Sequence, residues 1–376
     1  MTEHYLDNSA TTKVSDGACE KILELLKVNF ANPSSLHSKG FEASKELEAS
    51  REVIAEALGA NAEEIIFTSG GTEANNLAVL GAAEALKKRG NRIITTAYEH
   101  SSVYEAAEHL RSQGFDVVIL TPDSKGQISD TELFEALSDK TILVSIMYVN
   151  NEVGSINPVE RFSTLIKKKA PNALFHVDAV QAFGKIPFKV SKIKCDLLTI
   201  SAHKIHGPKG VGALYIRKGA RILPKAFGGK QEKKLRPGTE ALPLIAGFSV
   251  AVSELRINEN YEKVSELSGY LREKLSEIEG VVINSTEDAL PYIVNFSTSV
   301  IRSETMLHFL AGRGVYVSSG SACSKGAKSH VLSSLGLSDT LLDTAIRVSF
   351  SKHNTKDDCD ALIEGVREGI NTLAKR

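Results

Sequence analysis

Short apolar runs alternate with longer amphipathic stretches through the first two thirds of the chain. Residues 64–68 (EIIFT) read as a strand, followed by Gly70-Gly71 and a helical stretch over 72–88. Residues 91–95 (NRIIT) predict the next strand. Over 101–111, Val103, Ala106, Ala107 and Leu110 fall on one helical face. A strand at 115–120 (FDVVIL) follows, with Gly114 as the helix stop. Ser129 and Glu132 have capping-box spacing and open a helix to about residue 137. Runs 141–147 (TILVSIM) and 173–177 (ALFHV) read as strands buried on both faces, with a helix from near Pro158 between them. Runs at 196–200 and 212–216 complete the series. Strand–helix–strand units with near-continuous apolar strands indicate a parallel sheet covered by helices. The right-handed crossover rule limits its topology.

After about residue 260 the texture changes. A long charged helix over 261–278 leads into short strands at 281–283 and 293–296. Helices near 304–311 and 355–373 follow, the last burying Leu362, Val366, Ile370 and Leu373. This pattern predicts a large domain over 15–260 and a smaller α+β domain built from 1–14 with 261–376. A length of 376 residues agrees with two domains at about 150 residues each. The 45 Lys+Arg stand against 46 Asp+Glu, a net charge of −1. That balance argues against a bulk electrostatic grip on nucleic acid or an anionic membrane. No apolar stretch is long enough to span a bilayer, and residues 1–12 lack the basic and apolar parts of a secretion signal. Cys19, Cys195, Cys323 and Cys359 are too scattered for a disulfide framework and read as reduced cytosolic thiols. Cys19 and Cys359 fall in predicted helices and Cys195 at a strand start, so these three read as structural.

Residues 201–210 (SAHKIHGPKG) follow an apolar strand. The carboxyl ends of strands are where open α/β sheets bind ligands. Lys204 there is able to form a Schiff base with a carbonyl cofactor, because burial would lower its pKa and make the neutral amine available. Ser201 and His203 beside it are able to hydrogen-bond a phosphate. By itself the segment also fits a polar turn with a solvated lysine. Residues 175–181 (FHVDAVQ) add Asp178 directly after an apolar strand, 26 positions before Lys204. Pyridoxal phosphate (PLP) needs an acid near its pyridine nitrogen, because the protonated ring is the electron sink. Asp178 suits that role, and Gln181 lies within reach of the same ring, although an Asp at a strand end also serves as a cap or turn residue. In residues 67–76 (FTSGGTEANN), a strand, a glycine pair, Thr72 and a helix start form an anion-binding device of free N–H groups and helix dipole. This is neither a Walker A sequence nor a G-x-G-x-x-G fingerprint, and alone it fits a glycine turn with a threonine cap.

Together these segments resemble the NifS/IscS-like cysteine desulfurases, within the class V aminotransferase group of PLP enzymes. The likeness runs along almost the whole chain. It comprises 5–12 (YLDNSATT), 32–37 (NPSSLH), 68–76 (TSGGTEANN), Glu99-His100, 149–154 (VNNEVG) and 176–181 (HVDAVQ). It continues through 201–210, 236–240 (RPGTE), 318–323 (SSGSAC), 329–332 (SHVL) and 347–349 (RVS). The resemblance implies an α/β architecture, the type I fold of PLP-dependent transferases. In it, a large domain with a mostly parallel mixed sheet flanked by helices is joined to a smaller α+β domain. It implies that Lys204 holds pyridoxal 5'-phosphate, that Asp178 pairs with the ring nitrogen, and that Gln181 pairs with the phenolic oxygen. Gly71, Thr72, Ser201 and His203 would hold the phosphate. Thr239 sits where the family supplies a threonine from the partner subunit, which implies a homodimer. His100 would stack on the PLP face and move protons. Asn151 and Arg347, with Asn32, would bind the substrate carboxylate, Asn151 also touching the cofactor.

Cys323 lies among small and polar residues that predict an exposed, mobile loop, and Lys325 and Lys328 favour its thiolate. The resemblance implies that Cys323 takes sulfur from L-cysteine as a persulfide, with L-alanine released. The sulfur would pass to an acceptor, an iron–sulfur scaffold or a tRNA- or cofactor-thiolation enzyme, in the cytoplasm. The loop after Cys323 is shorter than in the family's larger subgroup, and 228–239 is more basic than the usual glycine-rich form; both leave the acceptor open. No metal site is expected, since His203-x-x-His206 fits no zinc motif. The rivals are an aminotransferase or selenocysteine lyase of the same group, and a sulfur-transfer scaffold without catalysis. Intact Lys204, Asp178, His100 and Cys323 speak against the scaffold.

Overall fold

In the computed structural model, which describes residues 2–319 and 329–375, the apolar runs pair into one seven-stranded sheet. A two-residue strand, β1 (His4–Tyr5), precedes it. The sheet itself contains β2 (Ile65–Thr68), β3 (Arg92–Thr96), β4 (Asp116–Leu120), β5 (Thr141–Met147), β6 (Leu174–Asp178), β7 (Leu197–Ser201) and β8 (Gly212–Ile216). Their spatial order is β2-β8-β7-β6-β5-β3-β4. All neighbours are parallel except that β8 runs antiparallel to both β2 and β7. A parallel sheet throughout is therefore not what forms, and the reason is local. Residues 202–211 between β7 and β8 hold only one short helical turn, Ala202–Lys204, too little for a parallel crossover, so the chain doubles back.

Every residue of β5, β6 and β7 is buried, because helices cover both faces. Side chains alternate between the two faces. Ile93, Leu143, Leu197 and Leu214 pack with Ala74, Leu77 and Val103 from helices Gly71–Leu86 and Ser101–Ser112. Ile94, Val144, Phe175 and Leu198 share the opposite core with Phe162 of helix Val159–Lys169 and Phe248 of helix Leu242–Ser253. Two long helices have no counterpart in the sequence pattern, Ser38–Leu58 and Leu242–Ser253, while Asp16–Lys27 is expected there only as a helix around Cys19, without bounds. Asp16–Lys27 packs closely on Leu242–Ser253 at Gly247, where an added Cβ would stand 2.7 Å from the Ile22 side chain.

A second, antiparallel sheet joins β9 (Val282–Ile283), β10 (Ile293–Ser297) and β12 (Ala345–Ser349) in the order β12-β10-β9. β11 (Val315–Tyr316) pairs in parallel with β1. The N-terminal segment then runs along β12: Ser349 N–H donates to Leu6 O at 2.7 Å. It goes on to the loop after β7, where Thr12 N–H donates to His203 O at 2.9 Å. In the last long helix, Lys356–Thr372, Leu362 and Val366 are buried, but Ile370 and Leu373 are only partly so, since the helix ends there. Cys195 and Cys359 are buried as expected of structural thiols. Cys19 is exposed on its helix, so the structural role read for it does not hold.

The basic stretch 228–239 is anchored to the large sheet. Its Glu232 is buried and takes a two-pronged contact from Arg51, at 2.7 and 2.9 Å. The same carboxylate accepts the Phe67 N–H of β2 at 2.7 Å. This ties the stretch to the strand that leads into Gly70-Gly71. Replacing Glu232 by Ala would strand a buried guanidinium and a backbone N–H. We expect a loss of about 3–5 kcal/mol in chemical denaturation, and a smaller loss for Glu232→Gln.

Candidate active site

The carboxyl ends of β2, β3, β5, β6 and β7 converge on a cavity of about 620 Å³. Gly71, Thr72, His100, Asn151, Asp178, Gln181, Ser201, His203, Lys204 and Arg347 all line it. Asn32 and Thr239 do not, and both are exposed. Cys323, with Lys325 and Lys328, lies outside the described residues.

Asp178 ends β6 and is nearly buried. Val180 N–H donates to its Oδ1 at 3.0 Å, and Asn75 Nδ2 donates to its Oδ2 at 2.7 Å. Lys204 follows β7, and its Nζ donates to Ser9 O at 2.5 Å and Ala10 O at 2.8 Å. Opposite, the 16-residue helix Gly71–Leu86 starts at the cavity wall. Gly70 adopts a φ of 151°, open to glycine, and a Cβ on Gly71 would stand 3.0 Å from Val180 Cγ2. Ser201 Oγ is buried there with no partner among the described residues. His203 contacts Thr11 Oγ1 at 3.3 Å, and burial, helped by Lys204, pushes it down to about 4. A neutral imidazole, free N–H groups and an unpaired hydroxyl together suit an anionic group.

His100 caps helix Ser101–Ser112. Ser102 N–H donates to its Nδ1 at 3.1 Å, so the neutral ring carries its proton on Nε2. Burial holds the ring below its ordinary pKa; Asp178 opposes this, while Lys204 and His330 add to it. Glu99 is wholly buried, held by Thr96 Oγ1 at 2.7 Å and Met147 N–H at 2.9 Å, and burial pushes it up to about 8. Burial likewise lifts Glu152 to about 7; it accepts Ser329 Oγ at 2.6 Å. Arg347, in β12, donates to Asn151 O at 3.1 Å and Asp7 Oδ1 at 2.8 Å, while its buried Nε has no partner among the described residues. The structure thus brings Asn151 and Arg347 together.

The motif reading passed over Asn75, Ser102, Glu152 and Lys185. Asn75 left a signal: it stands beside Ala74 and near Leu77 and Ala78 on the buried face of its helix, a polar residue in an apolar stripe.

The family model for aminotransferase class-V matches residues 4–362. Cysteine desulfurase IscS of Dictyoglomus turgidum is 42% identical, over 99% of this chain and 96% of that protein. A solved NifS-like protein superposes with a TM-score of 0.94 at 39% identity, over 99% of this chain and all of that one. A solved structure described as SspA in complex with cysteine gives 0.84 at 35% identity, over 94% of this chain and 100% of that one. The chain belongs to the class-V aminotransferase family. Its fold is that of the PLP-dependent type I transferases, and the family's cofactor is PLP.

His100 in cofactor-free protein should titrate below the ordinary 6.5, as followed by NMR of the ring. Replacing Asp178 by Asn removes the negative charge that favours the protonated ring, so the midpoint should fall further.

Proposed function

We propose that this protein is a PLP-dependent cysteine desulfurase that moves the sulfur of L-cysteine onto Cys323 and releases L-alanine. The observation that carries this reading is one cavity shared by Lys204, Asp178, His100 and a helix-start anion cradle, in a chain 42% identical to an IscS desulfurase. The unpaired Ser201 Oγ and the N–H groups at Gly71 and Thr72 fit the cofactor's phosphate, with His203 beside them. Thr239 is exposed away from its own cavity and is assigned to the partner's phosphate site.

When bound, PLP supplies a protonated ring that takes up electron density from the substrate carbon. Asp178 would hold a proton at the ring nitrogen, and Gln181 would donate to the phenolic oxygen. Lys204 would hold the cofactor, and its Nζ is the group that would take the substrate's α-proton. His100 would lie against the ring and move protons through Nε2. Arg347 would offer its Nε, which has no partner among the described residues, to the substrate carboxylate beside Asn151, whereas Asn32 stands exposed away from this cavity. The Cys323 thiolate would attack the substrate sulfur: an S–S bond forms as the Cβ–S bond breaks, and the bonding pair stays with Cβ, which is protonated to become the methyl group of L-alanine. Cys359 and Cys195 are unsuited to this, since burial raises both thiols, Cys359 to about 12.

The active form is a homodimer. Leu23, Leu26, Val28, Phe30 and Phe41 are each more than half exposed on neighbouring segments, a surface that a second copy would cover. A large domain over 15–260 and a small one over 1–14 with 261–376 suit the two sheets, since β1 pairs with β11 and Asp7 bridges Ser349. The persulfide passes to an acceptor, an iron–sulfur scaffold or a tRNA-thiolation enzyme, in a reducing cytoplasm. The described Cys19, Cys195 and Cys359 are unbridged, and no described helix is long and apolar enough to cross a membrane.

Replacing Cys323 by Ala should leave the bound cofactor's visible band intact and abolish transfer of labelled sulfur to the protein. Undiminished persulfide in that variant defeats the assignment. In Lys204→Ala, borohydride should trap no lysine adduct of the cofactor. An aminotransferase would instead turn a keto acid over with no catalytic thiol, so alanine and sulfide from L-cysteine, assayed beside a keto-acid test, separate the two.

A further inference from the structure

Lys185 lies behind the cavity wall and is buried. Among the described residues it forms no ion pair. Its Nζ donates to Gln181 Oε1 at 2.6 Å and lies 5.8 Å from the Tyr292 ring. The charges acting on it, Lys204 and Arg347, are both positive. Lys204, His206, Glu254 and Lys352 line the same small cavity. A buried ammonium without a carboxylate is unfavourable, and a packed aliphatic chain would serve stability better.

Lys185 and the Ser9 carbonyl together set how the Gln181 amide lies. Lysine has only donors, so the amide atom facing it is Oε1. Gln181 Nε2 then donates to Ser9 O at 3.1 Å, the carbonyl that also receives Lys204 Nζ. One Nε2–H remains, and Gln181 lines the active-site cavity. We propose that Lys185 is a positioning residue for the cofactor, locking Gln181 as a donor toward the phenolic oxygen and holding positive charge behind it. This rests on the PLP reading above. Burial pushes Lys185 down to about 7, so its charge is present below that pH and fades above it, whereas the amide's orientation does not depend on it alone.

The test uses the cofactor-loaded protein without L-cysteine. Lys185→Met removes charge and donor while keeping chain length. The pH midpoint of the cofactor's visible band should rise by about one unit, since a lost positive charge lets the cofactor keep its proton more easily. The Tm of the cofactor-free protein should hold or rise. Lys185→Arg, which keeps charge and donors, should return the midpoint toward wild type. A lowered Tm with an unmoved midpoint would mean a structural role only and would overturn the proposal. Should Lys185→Met fail to fold, Lys185→Gln carries the same test, and an unmoved midpoint there is equally fatal. Failure of the desulfurase reading would show separately, as absence of persulfide from L-cysteine.

Discussion

Residues 7–10 hold Lys204 and Arg347 of the cavity wall at a fixed spacing, and much of the geometry depends on that. Asp7 accepts Arg347, while Ser9 O and Ala10 O accept Lys204 Nζ. Ser9 O also receives Gln181 Nε2. Arg347 comes from the small antiparallel sheet and Lys204 from the loop after β7, elements with no strand pairing between them. The short N-terminal segment supplies the connection, being bonded to Ser349 on one side and His203 on the other. Backbone carbonyls are well suited to holding Lys204, because they orient an amine without adding a negative charge that would pair with it.

The same economy of charge runs through the cavity wall. Glu99 is pushed up to about 8 and Glu152 to about 7, while His203 is pushed down to about 4, all chiefly by burial. Behind them His176 is held near 3, bonded to Ser145 and Thr199. Glu99, His203 and His176 are therefore largely neutral at neutral pH and contribute hydrogen bonds more than charge, while Glu152 sits near its midpoint. Neutral Glu99 does not compete with Asp178 for a cation, although it lines the same space. A polar wall that is largely uncharged keeps the effective dielectric low around the few groups meant to act electrostatically.

Legibility in the sequence followed locality. β5 and β8 match their apolar runs residue for residue, because a doubly buried strand is written as a continuous run. That Lys204, Asp178, His100 and Gly71 come together in one cavity was readable because each sits in a short motif at a strand end. Helix Leu242–Ser253 was not, since it is apolar nearly all round and shows no period. Ser38–Leu58 buries Gly40, Ala43, Ser50 and Ala55, small residues of low contrast. Asp16–Lys27 buries Leu25 but exposes Leu23 and Leu26, which blurs its face. The reversal of β8 is a property of the connector, not of the strand. Asn75 and Lys185 escaped because their meaning is a contact: Asn75 reaches Asp178 across 103 positions, and Lys185 matters only through the amide it faces.

The same contacts bear on how Cys323 is placed relative to the substrate site. Ser318 exchanges both backbone hydrogen bonds with Arg347, at 3.1 and 2.7 Å. Ser329 caps its short helix and donates to buried Glu152 at 2.6 Å, while His330 Nε2 meets Glu99 O at 3.0 Å. The chain therefore leaves and rejoins the described structure at the wall of the cavity itself. Cys323 is five positions beyond Ser318 and six before Ser329. Chain length alone bounds its Cα to about 17 Å from Ser318. Whatever fixes Arg347 therefore also fixes one of the two ends between which residues 320–328 run.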